Sequence, residues 1–221
     1  MSYKSILAVA GIAAMFAVGV FAQSAGTFKD SRDGKTYKTV KVGSQTWFAE
    51  NLNYAAKGSK CYGEGGVVAD GFAEEGDHPI NPRKLSNAEV QANCAKYGRL
   101  YDWKTALTAC PAGTHLPTDK EWMTLTDFVG GSETAGKKLK STAGWNENGI
   151  GTNQYGFSAL SGGNGYSDGS FYSAGSIGYW WSATEFDAYG AWYRGMDYGN
   201  ELVGRLNYDK TYLNSVRCVQ N

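Results

Sequence analysis

The chain is poor in histidine: His78 and His115 are the only two in 221 residues, and no G-x-S-x-G string accompanies either. A Ser-His-Asp hydrolase would need one of the two as its general base, and the residues around neither form a nucleophile motif. The four cysteines, Cys61, Cys94, Cys110 and Cys218, include no C-x-x-C spacing, which removes the usual zinc pattern. No run of basic residues occurs, and 21 Lys and Arg balance 21 Asp and Glu, so nucleic acid and anionic membranes are excluded as expected partners. The apolar run from Ile6 to Phe21 falls short of the roughly twenty residues that cross a bilayer. Proline is scarce, at 4 residues, beside 30 Gly, 15 Tyr and 7 Trp, a balance that suits short strands and many turns better than a helix bundle.

The N-terminal apolar run has a different reading. It follows Lys4 and closes on Val20-Phe21-Ala22, with small residues where a signal peptidase reads, so residues 1–22 are expected to be a cleaved export leader. Gln23 occupies the place a lipidated cysteine would need. Residues 23–221 then form one domain, long enough for a single core, with no stable membrane insertion after cleavage. All four cysteines lie in that part, and an even count in an oxidising compartment predicts two disulfides. Three pairings are open at this point.

Along the chain, Asp33-Gly34 and Gly43-Ser44 punctuate alternating apolar residues and predict an N-terminal β-hairpin. The aperiodic stretch to about Arg83 reads as a long surface loop pinned through Cys61. Ser86 with Glu89 is a capping box for a helix that Gly98 ends. Leu100, Trp103, Leu107 and Cys110 fall at helical intervals, and Thr118 with Glu121 opens another helix with a Trp122, Leu125 and Val129 stripe. A further short helix is expected from Glu133 to Lys140. Beyond Gly144 the helical period disappears, and YGFSAL, GYWWSATE, AWYRGMDY, LVGRLNY and SVRCVQ read as strands of a small antiparallel sheet. Helices followed by strands indicate an α+β domain.

The segments DGKTYKTVKVGSQTWFAENLNY, NCAKYGRLYDWKTALTACPAGTHLPTDKEW, GFSALSGG, GYWWSATE and SVRCV resemble the Fibrobacter succinogenes major paralogous domain, a family of secreted bacterial proteins. The resemblance runs from about Thr27 to Val219 and implies no particular activity. More distantly, HLPTDKEW and the closing SVRCV look like landmarks of formylglycine-generating enzymes. That likeness implies a C-type-lectin-like fold: two main helices packed on small antiparallel sheets with long Gly-rich loops, the N- and C-terminal strands paired. It also implies Cys110–Cys218, tying the helix to the last strand, and hence Cys61–Cys94. The enzymes' copper-binding cysteine pair is missing, since the C-terminal half holds Cys218 alone, and the E-P-N, Q-P-D and W-N-D strings of calcium-dependent lectins are missing too.

Chemistry is correspondingly thin. His115, before Leu116-Pro117, reads as a structural residue and His78 as a solvated one. Glu185 with Asp187, or Glu201 with Asp209, would serve a glycosidase only at a defined separation across a cleft. Asn146, Asn148, Asn153 and Asp168 stand in Gly-rich loops and could offer oxygens to calcium, but no D-x-D-x-D-G loop backs them, so no cofactor is expected. Aromatic rings are the remaining clue, because exposed Trp and Tyr stack on sugars and anchor protein interfaces. Trp180 and Trp181 adjoin on one strand and should face opposite ways, one into the core and one outward; the same logic separates Trp192 from Tyr193. The expected ligand contacts are Trp180, Trp192, Tyr193, Tyr198 and Glu201. The resulting reading is a secreted, non-catalytic binding or adhesion module for a polysaccharide or a surface protein. Its alternatives are a divergent enzyme on the formylglycine-enzyme scaffold and a structural envelope protein.

Overall fold

The computed structural model describes residues 24–69, 71–72, 79–149 and 151–221. The leader read over residues 1–22 and His78 lie outside them. Strands β1 (Ala25–Lys29), β2 (Thr36–Val42) and β3 (Gln45–Phe48) form an antiparallel meander, one strand more than the expected hairpin. Both turn signals are used, with Gly34 and Gly43 at positive φ. The stretch read as a plain loop carries β4 (Val67–Val68), β5 (Gly71–Phe72) and β6 (Pro79–Ile80).

Among the described residues four α-helices follow, one in each segment read as helical: α1 (Asn87–Tyr97), α2 (Trp103–Ala109), α3 (Asp119–Phe128) and α4 (Ser132–Leu139). Both capping boxes form, Ser86 with Glu89 and Thr118 with Glu121. The helix expected from Leu100 is shorter, because Leu100–Tyr101 is strand β7 and the Asp102 side chain accepts from the Thr105 amide to start α2 two residues on. Its buried stripe is Trp103, Ala106 and Ala109, and Leu107 is exposed. Strand β8 (Thr114–His115) separates α2 from α3.

The C-terminal half contributes β9 (Gly162–Gly165), β10 (Ser170–Ala174), β11 (Ile177–Glu185), β12 (Gly190–Asp197), β13 (Gly204–Asp209), β14 (Asn214–Ser215) and β15 (Val219–Gln220). YGFSAL supplies only the isolated Lys140–Ala159 bridge. The order β13-β12-β11-β9-β10-β4, with β14 against β11 and β7, is mixed where an antiparallel sheet was expected. The pairs β11–β9, β11–β14 and β10–β4 are parallel because the chain returns through loops and not tight hairpins. Gly163 and Gly178 face each other where β9 meets β11; a Cβ on Gly163 would lie 2.3 Å from the Tyr172 carbonyl oxygen. A second sheet, β1-β2-β3-β15-β8, pairs Trp47 with Val219 and so joins the two ends of the described chain.

The core has two large lobes on opposite faces of β11. Trp47, Trp122, Phe157 and Trp180 fill one, with the Trp47 and Trp122 rings 4.7 Å apart. Tyr37, Phe48, Tyr101, Trp181, Tyr193 and Cys218 fill the other. Between them, Asn51 Oδ1 accepts from Trp180 Nε1 at 2.9 Å and from Arg217 Nε at 2.8 Å. Disulfides join Cys61 to Cys94 and Cys110 to Cys218, the pairing the resemblance implied. Among the described residues no helix is long and apolar enough to cross a membrane.

Candidate functional site

The five residues expected to contact ligand are not brought together. Trp180 and Trp181 are both wholly buried, their indoles donating to Asn51 Oδ1 and to the Tyr101 carbonyl. Trp180 is therefore a core residue and not a stacking platform: β11 lies between β12 and β9 with a lobe of core on each face, so at Trp180 and Trp181 neither side of the strand reaches water. Tyr193 is buried too and underlies the surface without forming it. Trp192, on the opposite face of β12, is half-buried, with the Arg205 guanidinium 3.5 Å above its ring and the Phe186 ring 4.9 Å away edge-on. Tyr198 packs against the Trp180 lobe, and Glu201 is exposed and paired with Lys137 at 2.6 Å.

The other candidates serve local structure. Asn146 Nδ2 donates to Ser176 Oγ, Asn153 Oδ1 accepts from the Ser158 amide, and Asp168 accepts from the Ser170 amide. Asp187 Oδ1 accepts from the amides of Tyr189 and Gly190, bonds that hold its carboxyl below the ordinary value, and Glu185 pairs with Lys210. Asp209 closes β13, and Glu201 stands three residues before the strand begins. Clefts of about 240, 580 and 600 Å³ are lined on their charged side by Lys35, Lys38, Glu50 and Lys96 in the first, by Arg83 in the second and by Asp102, Lys104, Glu185 and Lys210 in the third. Among the described residues no three His, Cys, Asp or Glu side chains converge as a metal site would require.

What the fold does assemble is a tyrosine surface. Gly165 and Leu213 form an antiparallel bridge. That register sets Tyr166 opposite Tyr212 and Asn164 opposite Asn214, with all four side chains on the face away from Leu213, which packs with Tyr62, Leu100 and Phe171. The Tyr166 and Tyr212 rings are 4.4 Å apart and tilted by 34°. Tyr208 joins them, 4.4 Å from Tyr212 by ring centroids, its hydroxyl 2.7 Å from that of Tyr166. Tyr193 lies 5.6 Å from Tyr208 and 5.8 Å from Tyr179, and Tyr172 lies 4.9 Å from Tyr166.

Tyr166, Tyr179, Tyr208 and Tyr212 are half-buried with solvent-facing edges, Tyr172 and Tyr193 form the floor, and Leu206, half-exposed, sits at the rim. Burial pushes the Tyr166, Tyr179 and Tyr193 phenols well or moderately above their ordinary value, so the surface is uncharged near neutral pH. Beneath the tyrosines, Asn164 and Asn214 are 3% and 1% exposed. Asn164 Oδ1 and both polar atoms of the Asn214 amide have no hydrogen-bond partner among the described residues. Sequence reasoning missed this site because its rings come from separate segments at 166–172, 179, 193 and 208–212. The usable signal was the recurrence of Tyr two residues beyond Asn164 and two before Asn214, where alternation puts ring and amide on one face.

A family model described as the Fibrobacter succinogenes major domain matches residues 40–220. No curated protein and no solved structure matches the chain.

Proposed function

The chain belongs to the Fibrobacter succinogenes major domain family, and from that premise we propose that it is an exported, non-catalytic binding module that takes polysaccharide on its tyrosine surface. One observation carries the reading: four half-buried tyrosines, Tyr166, Tyr179, Tyr208 and Tyr212, share one face of the sheet and present neutral rings and hydroxyls together. Clustered rings of this kind offer apolar faces to sugars, while phenol hydroxyls can meet sugar hydroxyls. Tyr179 and Tyr208 are braced from behind by Tyr193, itself packed edge-on against Trp181, so this half of the surface is held in shape before ligand arrives.

The scaffold for this module is of the C-type-lectin-like kind. Support comes from the pairing of Trp47 with Val219 and from the disulfide that ties the end of α2 to the segment before β15. Export is supported by the two disulfides, which persist in oxidising compartments, together with the leader-like N-terminus.

A protein partner is a second reading, favoured by a different place. At the tip of the β11–β12 hairpin, Tyr189 is 81% exposed and Phe186 is 48% exposed, two large rings in water. The test separates the two surfaces. The oxidised protein, residues 23–221, is titrated with gluco-, xylo-, manno- and galacto-hexaoses, beside Tyr212→Ala, Tyr208→Ala and a Phe186→Ser/Tyr189→Ser variant. The expected result is saturable binding that each tyrosine variant weakens about tenfold and the hairpin variant leaves intact. Binding that survives loss of both Tyr208 and Tyr212 would sink the tyrosine reading.

A further inference from the structure

We propose that Asn164 and Asn214 form the polar floor of a pocket for two adjacent hydroxyls of an uncharged sugar ring, with Tyr166 and Tyr212 as its movable cover. The inference rests on the polysaccharide reading and names the group that reading leaves open. Buried amides are almost always hydrogen-bonded, because an unpaired buried donor or acceptor bears the full cost of leaving water. Here two side chains that face each other across the Gly165–Leu213 bridge together leave two acceptor oxygens and one donor nitrogen unpaired among the described residues. One such atom is an irregularity. Three at one cross-strand pair, beside a tilted pair of aromatic rings on the same face, describe a recognition surface.

The count of donors and acceptors selects the ligand. Two neighbouring hydroxyls donate one hydrogen each, to Asn164 Oδ1 and Asn214 Oδ1, and one of them also accepts from Asn214 Nδ2. A carboxylate cannot do this, since it has no hydrogen to donate to the two oxygens. An ammonium cannot accept from the nitrogen. The groups acting electrostatically on Tyr166 and Tyr193 are other tyrosines, and the ion acting on Tyr179 is Asp197, whose charge cannot compensate an anionic ligand. A vicinal diol with an apolar ring face fits both requirements: its hydroxyls meet the amides while its face meets the rings.

Access follows from the same register. The tyrosine pair is the same-face neighbour of the amide pair and lies on the solvent side, half-buried where the amides are sealed. Tyr166 opens the short β9–β10 turn, closed by its amide to the Ser170 carbonyl at 2.8 Å, and Tyr212 sits in the β13–β14 connection. In this proposal the two rings rotate, giving up the Tyr166–Tyr208 hydroxyl bond, while the Gly165–Leu213 bridge stays closed.

The test uses Asn214→Leu, which keeps the shape and removes the donor and acceptor, with the same neutral hexaoses and a galacturonate hexamer as anionic control. Expected is a loss of about tenfold or more in affinity for the hexaose that the wild type binds, with an unfolding midpoint unchanged or raised, because no hydrogen bond within the free protein is lost. A variant that binds like the wild type overturns the amide floor; if Tyr212→Ala still weakens binding, the tyrosine reading stands. A variant that is less stable but binds as before would mean that the amides are satisfied by internal water only, and also overturns it. Wild type that takes only the anionic hexamer, or no hexaose, overturns the floor together with the reading beneath it. Should Asn214→Leu not fold, the side-chain amide resonances of Asn164 and Asn214 in the labelled wild type decide: shifts of both on adding the hexaose support the proposal, and unmoved resonances at saturation overturn it.

Discussion

Arg217 donates to Asn51 Oδ1 at 2.8 Å inside a core that admits no water to either residue's polar end. The guanidinium also donates to the carbonyls of Phe48, Phe157 and Ser158 and lies 4.5 Å from the Phe157 ring centroid. Burial pushes its proton affinity down, to about 9, and it remains charged at neutral pH. A cation held by dipoles and a ring in place of a carboxylate is a junction: it joins β3, the loop before β9 and the segment before β15. Arg217→Met takes the Arg217 donor from the Phe48, Phe157 and Ser158 carbonyls, leaves Asn51 Oδ1 with Trp180 alone, and is expected to cost about 3–5 kcal/mol. Arg217→Lys should recover only part of this, since one ammonium cannot span acceptors spread around a planar fork. Urea unfolding of the three proteins orders them, and equal stability of wild type and Arg217→Met would contradict the junction.

The two disulfides should contribute unequally. Cys110 and Cys218 close a separation of 108 residues, against 33 for Cys61 and Cys94. On the chain-entropy account the longer loop is worth about 5 kcal/mol and the shorter about 4. Replacing each pair by alanines and measuring guanidinium unfolding should therefore show a difference of about 1 kcal/mol in favour of Cys110–Cys218. The opposite order would mean that folded-state packing around Cys61, Val90 and Cys94 outweighs loop entropy.

The sequence was legible where the information is local. Ser86, Thr118 and their glutamates mark two helix starts because a capping box is written within four residues. The disulfide pairing was reachable only through resemblance, as spacing alone leaves three choices. Trp180 was misread because alternation tells which residues share a face but not whether both faces of the strand are covered, and that depends on where β9 and β12 lie. The tyrosine surface was illegible for the same reason: Tyr166 meets Tyr212 through a bridge between residues 48 positions apart, Gly165 and Leu213, with no local signature.

His115 predicts a pH-dependent contact at the C-terminus. Its Nδ1 lies 2.7 Å from Asn221 Oδ1 and its Nε2 2.7 Å from Glu121 Oε1. Burial opposes the imidazolium, but the bonds to Asn221 and Glu121 outweigh it and raise the ring above its ordinary 6.5. For Glu121, burial pulls upward and the Thr118 and His115 hydrogen bonds prevail, lowering it below 4.5. The histidine contribution is full below pH 6.5 and disappears as pH rises through the raised folded value; the glutamate contribution is present above 4.5 and disappears as pH falls through the lowered one. With side chains 37% and 28% exposed, screening keeps the total under about 1 kcal/mol. His115→Ala should therefore differ most from wild type at about pH 5 to 6 and progressively less toward pH 9. A difference that does not change with pH would refute the pairing.

Asp119 is shared by two arginines in unlike settings. Arg194 lies 2.8 Å away with its side chain 2% exposed, and Arg205 lies 2.9 Å away with 43% exposed. Burial raises the Asp119 carboxyl, yet the bonds from Arg205 and Arg194 together hold it below its ordinary value; burial lowers the Arg194 guanidinium despite Asp119. Removing Asp119 therefore strands a buried cation, and Asp119→Ala is expected to cost about 3–5 kcal/mol. Arg205→Met should cost about 1 kcal/mol, since its ion pair is screened and only its stacking on Trp192 is lost besides. The sign of the double change is the sharper test. If the stranded charge dominates, adding Arg194→Met to Asp119→Ala restores stability, because methionine fills the same space without a charge to desolvate. Unfolding midpoints of the single and double variants decide it: a double variant less stable than Asp119→Ala would show that Arg194 holds the sheet by its shape and its bond to the Asp119 carbonyl, and not through the ion pair.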